Sequence, residues 1–177
     1  VLTYCGIDPG ANTGVAIVRN RTIIETATVR TRAKDPMDAR VFLVFDGLAK
    51  IISRHKPDVI YIEGMRRFMV TGGSIKSTVV QAMFHGAVLS AVGYARPKNC
   101  QVVIVLPPRV QWAGRGQTKV VGHPTKQLAY LLCKQVFGQA VADRLSEHEL
   151  DALSLCVYYQ NQKGGKNGKT AQSIGTG

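Results

Sequence analysis

The sequence predicts an α/β domain, a mixed β-sheet layered with helical crossovers, and three observations lead there. Short β-branched runs alternate with longer stretches of helical apolar period. Read in order, the elements run β-β-β-α-β-α-β-α-α. The first three strands are joined by links too short for a crossover helix, which makes them an antiparallel meander. The length of 177 residues suits one domain, and such a chain buries roughly 70% of its unfolded surface without needing disulfides. Hydrophobic residues at 45% and charged residues at 19% are an ordinary globular balance.

Residues 4–8 read as a strand closed by the Pro9-Gly10 turn. Residues 14–18 (GVAIV) and 22–29 form two more, with Arg19-Asn20-Arg21 as the hairpin turn. Over residues 38–55 the apolar positions Val41, Val44, Phe45, Leu48, Ile51 and Ile52 have helical spacing, and Lys56-Pro57 ends that helix. Residues 59–63 (VIYIE) read as a buried strand, and a second helix runs from 74 to about 92. A strand at 101–106 stops at Pro107-Pro108; Pro124 suits a helix first turn, and 125–137 continue it. The last helix covers residues 146 to about 160. Residues 1–160 are therefore expected to form one domain, and 161–177 a flexible basic tail rich in Gly and Ser.

The charge narrows the function. The formal net charge of +12 and a pI near 9.9 point to a polyanionic partner, although positive charge also serves solubility. No apolar run approaches the ~20 residues of a spanning helix, which argues against a membrane protein. The start, Val1 to Ile7 leading into Asp8-Pro9-Gly10, does not resemble a secretory signal. Cys5, Cys100, Cys133 and Cys156 form no C-x-x-C pair, so the expectation is no zinc site and a reducing compartment, the cytoplasm or an organelle matrix.

With 11 Asp and Glu in the chain, the positions of the carboxylates are informative. Asp8 closes the first strand and Glu63 the fourth, and a carboxylate at the end of a buried strand is costly unless paired or holding a cation. Asp151 lies in the apolar helix segment LDALSLC, with Glu147 and His148 on its face and Glu149 nearly opposite. Each residue has a bland alternative. Asp8 can cap a turn, Glu63 can be an edge charge, Asp151 can pair with Arg109 or Arg144, and His148 can be a surface histidine. Taken jointly, hard oxygen donors with one imidazole suit Mg²⁺ or Mn²⁺ better than zinc. On a polyanion-binding chain they point to metal-assisted phosphodiester hydrolysis.

These blocks resemble the RuvC-type Holliday junction resolvases of the ribonuclease H-like superfamily. The resemblance is carried by Gly6-Ile7-Asp8-Pro9-Gly10 with Thr13-Gly14, by Pro57-Asp58 through Ile62-Glu63, by Thr125-Lys126, and by His148-Glu149-Leu150-Asp151-Ala152-Leu153. It implies a five-stranded mixed sheet flanked by helices, a homodimer, four-way junction DNA as partner, and Mg²⁺-dependent symmetric nicking, with Mn²⁺ as substitute. By position, Asp8, Glu63 and Asp151 would be metal-binding catalytic carboxylates. His148 stands three residues before the last Asp, where many members have another Asp, and is a ligand or proton-transfer candidate, with Glu147 the neighbouring substitute. Lys126 matches a basic residue near the cleaved strand. A second family lysine has no clear match, and Arg109 and Arg115 are the nearby candidates.

Two stretches are candidate DNA surfaces. Met65-Arg66-Arg67-Phe68-Met69 follows Glu63, and Arg66 and Arg67 beside an exposed aromatic can hold phosphates while Phe68 wedges between bases; packing of Phe68 into the core is the alternative. Arg109, Arg115, Lys119 and Lys126 form the second, around Trp112. The helix from 74 adds a partner signal. Ile75, Val79, Val80, Met83, Phe84, Ala87, Leu89 and Ala91 cover more than a ~100° stripe, leaving Thr78, Gln81 and His85 on a narrow polar face. A two-fold dimer would cover the second apolar side, and burial under the C-terminal helix is the alternative. The competing functions are a ribonuclease H-like nuclease acting on RNA and a non-catalytic junction-binding module. A kinase-like nucleotide site is disfavoured, since no Gly-rich phosphate loop follows a strand.

Overall fold

Alternating β-branched residues build the first half of the sheet. Strands β1 (Thr3–Asp8), β2 (Asn12–Arg19) and β3 (Thr22–Arg30) form the expected antiparallel meander. The β2–β3 turn places Asn20 and Arg21 at φ 50° and 59°, the left-handed pair that matches the strand twist of a tight hairpin. The structure is a computed structural model and describes residues 1–65, 75–105, 125–162 and 172–173, with backbone alone at 125–128, 158–162 and 172–173.

Helix α1 (Met37–His55) ends at Lys56, whose left-handed φ of 46° lets its N–H donate to the Ile52 carbonyl. The chain then enters β4 (Val59–Glu63), parallel to β1, and passes through α2 (Ile75–Ala95) to β5 (Gln101–Val105), parallel to β4. The order across the sheet is β3-β2-β1-β4-β5-β6. The five predicted strands are all present. The sixth, β6 (Gln172–Ser173), pairs antiparallel with Val103 and Ile104 and lies in the stretch read as tail.

Period-two alternation divides the sheet into two faces. Cys5, Ile7, Val15, Ile17, Ile60 and Ile62 pack with α1 and α2 into one core. Ala16 and Val18 pack on the other side, under α3 (Thr125–Phe137), α4 (Gln139–Ala142) and α5 (Glu147–Gln162). The four-residue α4 was not expected, because it is too short to show a period; it follows Gly138 at φ 90° and buries Ala142. All four cysteines are free and buried. Burial pushes the thiols up, Cys100 to about 11 and Cys133 to about 12.

Helix α2 corrects one expectation and removes one alternative. With 21 residues it is long and apolar enough to cross a membrane by length and composition, contrary to the reading that no run approaches that length. Its polar residues are spread among small and apolar ones, and Lys76 is the one residue in it of the types Lys, Arg, Asp and Glu, so they do not interrupt the run. Its outer side is not covered by α5, which packs on β1 and β2 from the opposite face of the sheet, so burial under the C-terminal helix, the alternative to a dimer, does not hold. Phe84, Ala87, Val88, Ala91 and Val92 face the core, while Ile75, Val79 and Leu89 are 84%, 51% and 41% exposed.

Candidate active site

Strand register brings the first two carboxylates to one end of the central strands. Ile7 of β1 lies beside Ile62 of β4, so the next residues, Asp8 and Glu63, end neighbouring parallel strands. On β4, Val59 and Tyr61 face the α5 side while Ile60 and Ile62 face the α1/α2 core, so Glu63 falls on the α5 side. The same alternation on β1 puts Gly6 and Asp8 on that side. The Pro9-Gly10 turn is held by other groups. The buried Thr13 hydroxyl donates to the Gly10 carbonyl at 2.7 Å, and Thr31 donates to the Ala11 carbonyl through its backbone N–H (3.2 Å) and its hydroxyl (2.8 Å). Asp8 is thus not needed as the turn's cap.

The third element is α5, and its start is set by local chemistry. The Glu149 carboxylate accepts the Ser146 N–H at 2.7 Å, and the Ser146 hydroxyl accepts the Glu149 N–H at 3.4 Å, a capping box. The Ser146 hydroxyl also sits 2.8 Å from that of Thr28, which ties the helix start to β3. Two glycines let the helix backbone lie directly on the strands. A Cβ on Gly14 would collide with the His148 carbonyl, and one on Gly6 with the Ala152 carbonyl. Since Gly14 pairs with Asp8 across β1 and β2, the helix residue seated on Gly14 stands beside Asp8. That residue is His148, whose Nδ1 lies 3.1 Å from Asp8 Oδ2.

Asp8, Glu63 and Asp151 line one cleft of about 270 Å³, together with Pro9, Gly64 and Met65 and with Gln81 and His85 of α2. The Gly64 N–H is committed to the Val105 carbonyl at 2.6 Å. His148 is not part of the cleft lining and touches it through Asp8. Its bond to Asp8 holds the imidazole above its ordinary range, against partial burial, with the charges of Asp8, Glu147 and Asp151 adding to the effect. His85 is moved the opposite way, since burial lowers it and the Asp8 charge only partly offsets that. Among the described residues no three His, Cys, Asp or Glu close into a ready-made metal cage; the carboxylates share a cleft rather than a coordination sphere.

The structure therefore brings together Asp8, Glu63 and Asp151, with His148 on Asp8. Arg66, Arg67, Phe68, Arg109, Arg115 and Lys119 lie outside the described residues, and Lys126 sits in the first turn of α3 with its backbone alone described. Asp58, part of one matching block, has a structural role at the opposite end of the central strands, where its Oδ2 accepts the Thr3 N–H at 2.7 Å. Gln81 and His85 were not anticipated as site residues. The signal for them was the narrow polar face they share with Thr78 on an otherwise apolar helix.

Comparison with known proteins gives a consistent picture. The sequence profile described as "Crossover junction endodeoxyribonuclease RuvC" matches residues 4–120. A protein of that name from Leifsonia xyli subsp. xyli is 26% identical over 158 residues, covering 86% of this chain and 70% of the relative. Another, from Shewanella piezotolerans, is 27% identical over 173 residues and covers 95% and 93%. In fold, the chain resembles T. thermophilus RuvC solved in complex with Holliday junction substrate, with TM-score 0.74, 22% identity, and 98% and 100% of the two chains covered. It also resembles the yeast mitochondrial Holliday junction resolvase Ydc2, with TM-score 0.60, 14% identity, and 91% and 78% covered.

Proposed function

The chain belongs to the crossover junction endodeoxyribonuclease RuvC family, and we propose that the cleft of Asp8, Glu63 and Asp151 is where it cuts DNA. The protein is a metal-dependent endonuclease that resolves four-way junctions. One observation carries the site assignment: carboxylates from β1, β4 and α5, distant in sequence, line a single small cleft at the C-terminal ends of the two central strands. Three like charges facing one cavity repel unless a cation lies between them.

The donor set fits a hard divalent cation. All three lining ionisable acids are carboxylates and no thiol lines the cleft, the preference of Mg²⁺ with Mn²⁺ as substitute. Asp8, Glu63 and Asp151 would hold the metal, which when bound supplies Lewis-acid polarisation of the phosphate and an activated water. His148 orients Asp8 through their 3.1 Å contact. Lys126 is assigned to stabilising negative charge that develops on the phosphate. Arg66, Arg67, Arg109, Arg115 and Lys119 are assigned to phosphate contacts, and Phe68 to the junction centre. The free, buried thiols suit a reducing compartment.

The outer side of α2 is the proposed dimer surface. Ile75, Val79, Ala82, Gly86, Leu89 and Gly93 recur at alternating four- and three-residue steps and are all exposed, the spacing of a helix-pairing seam. A Cβ on Gly86 or Gly93 would meet open space, so a second helix can approach closely there. A second copy paired through this seam presents two clefts to a two-fold symmetric junction.

The test is a gel assay on mobile and immobile synthetic four-way junctions, linear duplex and RNA–DNA hybrid, with Mg²⁺, Mn²⁺ or chelator. Paired nicks confined to junctions and lost with chelator are expected. Asp8→Asn is expected to bind junctions and leave them uncut. Cutting of the RNA-containing substrate in preference would move the assignment to an RNA nuclease, and binding without cutting under any metal would leave an architectural module.

A further inference from the structure

The cleft holds three carboxylates and must receive a phosphodiester, itself an anion, so its hydrogen-bond donors matter more than usual. Among the described lining residues, Pro9, Gly64 and Met65 bring no side-chain donor, and ionised carboxylates only accept. The donors are the Gln81 amide and the His85 imidazole, four residues apart and therefore on one flank of α2. That flank lies between the core side, where Phe84 and Val88 are buried, and the outer seam of Val79, Gly86 and Leu89.

We infer that His85, with Gln81 beside it, is a catalytic residue that contacts the scissile phosphodiester and donates a ring N–H to a non-bridging phosphate oxygen. The inference rests on the cleft being the cutting site. Unlike His148, which is engaged with Asp8 from the α5 side, His85 comes from the opposite layer and is itself part of the cleft wall. Because the same helix carries the outer seam, the dimer contact and this substrate contact are joined through one rigid element.

The experiment measures single-turnover cleavage of a synthetic junction by His85→Ala, His85→Gln and Asp8→Asn, alongside junction affinity in chelator, dimer mass and thermal midpoint. His85→Ala is expected to keep its affinity and mass while cutting about 10²-fold more slowly, the size of losing one donor to a reacting anion. His85→Gln, which returns an N–H, is expected to recover part of that loss. Sulfur in place of one non-bridging oxygen should slow the wild type and slow His85→Ala less, because the contact is already gone. Wild-type cutting by His85→Ala with an inactive Asp8→Asn overturns the role of His85 and leaves the cleft intact. An active Asp8→Asn overturns the cleft itself. If His85→Ala is destabilised, a stably folded His85→Gln that cuts no faster than it overturns the donor role, as do sulfur effects identical in all variants.

Discussion

At Gly14 a hydrogen stands where any other residue would put a carbon, and the α5 backbone occupies the difference. The His148 carbonyl lies against this position and its side chain meets Asp8, so the size of one residue on β2 sets a contact between β1 and α5. Gly14→Ala must push the helix off the sheet. Its expected cost is about 1–3 kcal/mol of stability, read as a lowered thermal midpoint, together with a loss of cleavage of up to about 10²-fold at temperatures where the variant is folded. Wild-type cleavage by a folded Gly14→Ala would show that the spacing between strand and helix does not position the site. A second residue-scale prediction concerns acid. Glu25 on β3 meets His55 at 2.6 Å and Arg54 at 3.1 Å on α1. The His55 hydrogen bond, then the charges of His55 and Arg54, outweigh burial and hold its carboxyl below the ordinary 4.5. A depressed carboxylate stabilises the fold above its unfolded value, and that contribution is lost as pH falls through the folded value. For this partly exposed cluster it is about 1 kcal/mol or less. Glu25→Gln should therefore show a shallower decline in stability below about pH 4.5 than the wild type in urea titrations.

Helix α2 has three tasks on three flanks. Its inner residues, Phe84 and Val88 among them, complete the core; Gln81 and His85 reach the cleft; and Ile75, Val79, Ala82, Gly86, Leu89 and Gly93 form the outer seam. A surface helix of a monomer carries one apolar stripe, and a second opposite it requires a second partner. Leu89 is 41% exposed, so Leu89→Asp costs little within one subunit, whereas across a helix pair it buries an unpaired charge. The expected outcome is a monomer by sedimentation, a thermal midpoint little changed at low concentration, and lost paired nicking. A dimer that survives Leu89→Asp would place the interface elsewhere. Helix α5 shows element-scale legibility of another kind: the motif Ser146-x-x-Glu149 accounts for its start by the capping box alone. Glu149, read as pointing away from Asp151, is used there and not at the cleft. Helix α4 had no such signal, since four residues cannot establish a period.

At the scale of the whole molecule the +12 charge dominates the encounter with DNA. Displacing counterions from about six phosphates gives a log–log salt slope of about −5, or a ~10³-fold loss of affinity between 50 and 200 mM salt. Junction binding measured in chelator should follow that slope, and an affinity indifferent to salt would remove phosphate contact as its basis. The sequence by itself determined the alternation of strands and helices, the meander, the parallel crossovers and the three candidate carboxylates. These are local facts: side-chain period, turn residues and the cost of a carboxylate at a strand end act over a few residues. Tertiary structure alone decided that Asp8, Glu63 and Asp151 share one cleft, that His148 bonds to Asp8 while Asp58 secures Thr3 at the opposite end of the strands, and that Gln81 and His85 arrive from the opposite layer. Those outcomes depend on register between distant strands and on how closely a helix lies on the sheet. Gly14 and Gly6 allow that approach, but a glycine in a strand looks the same in sequence whether a helix, a loop or solvent lies above it.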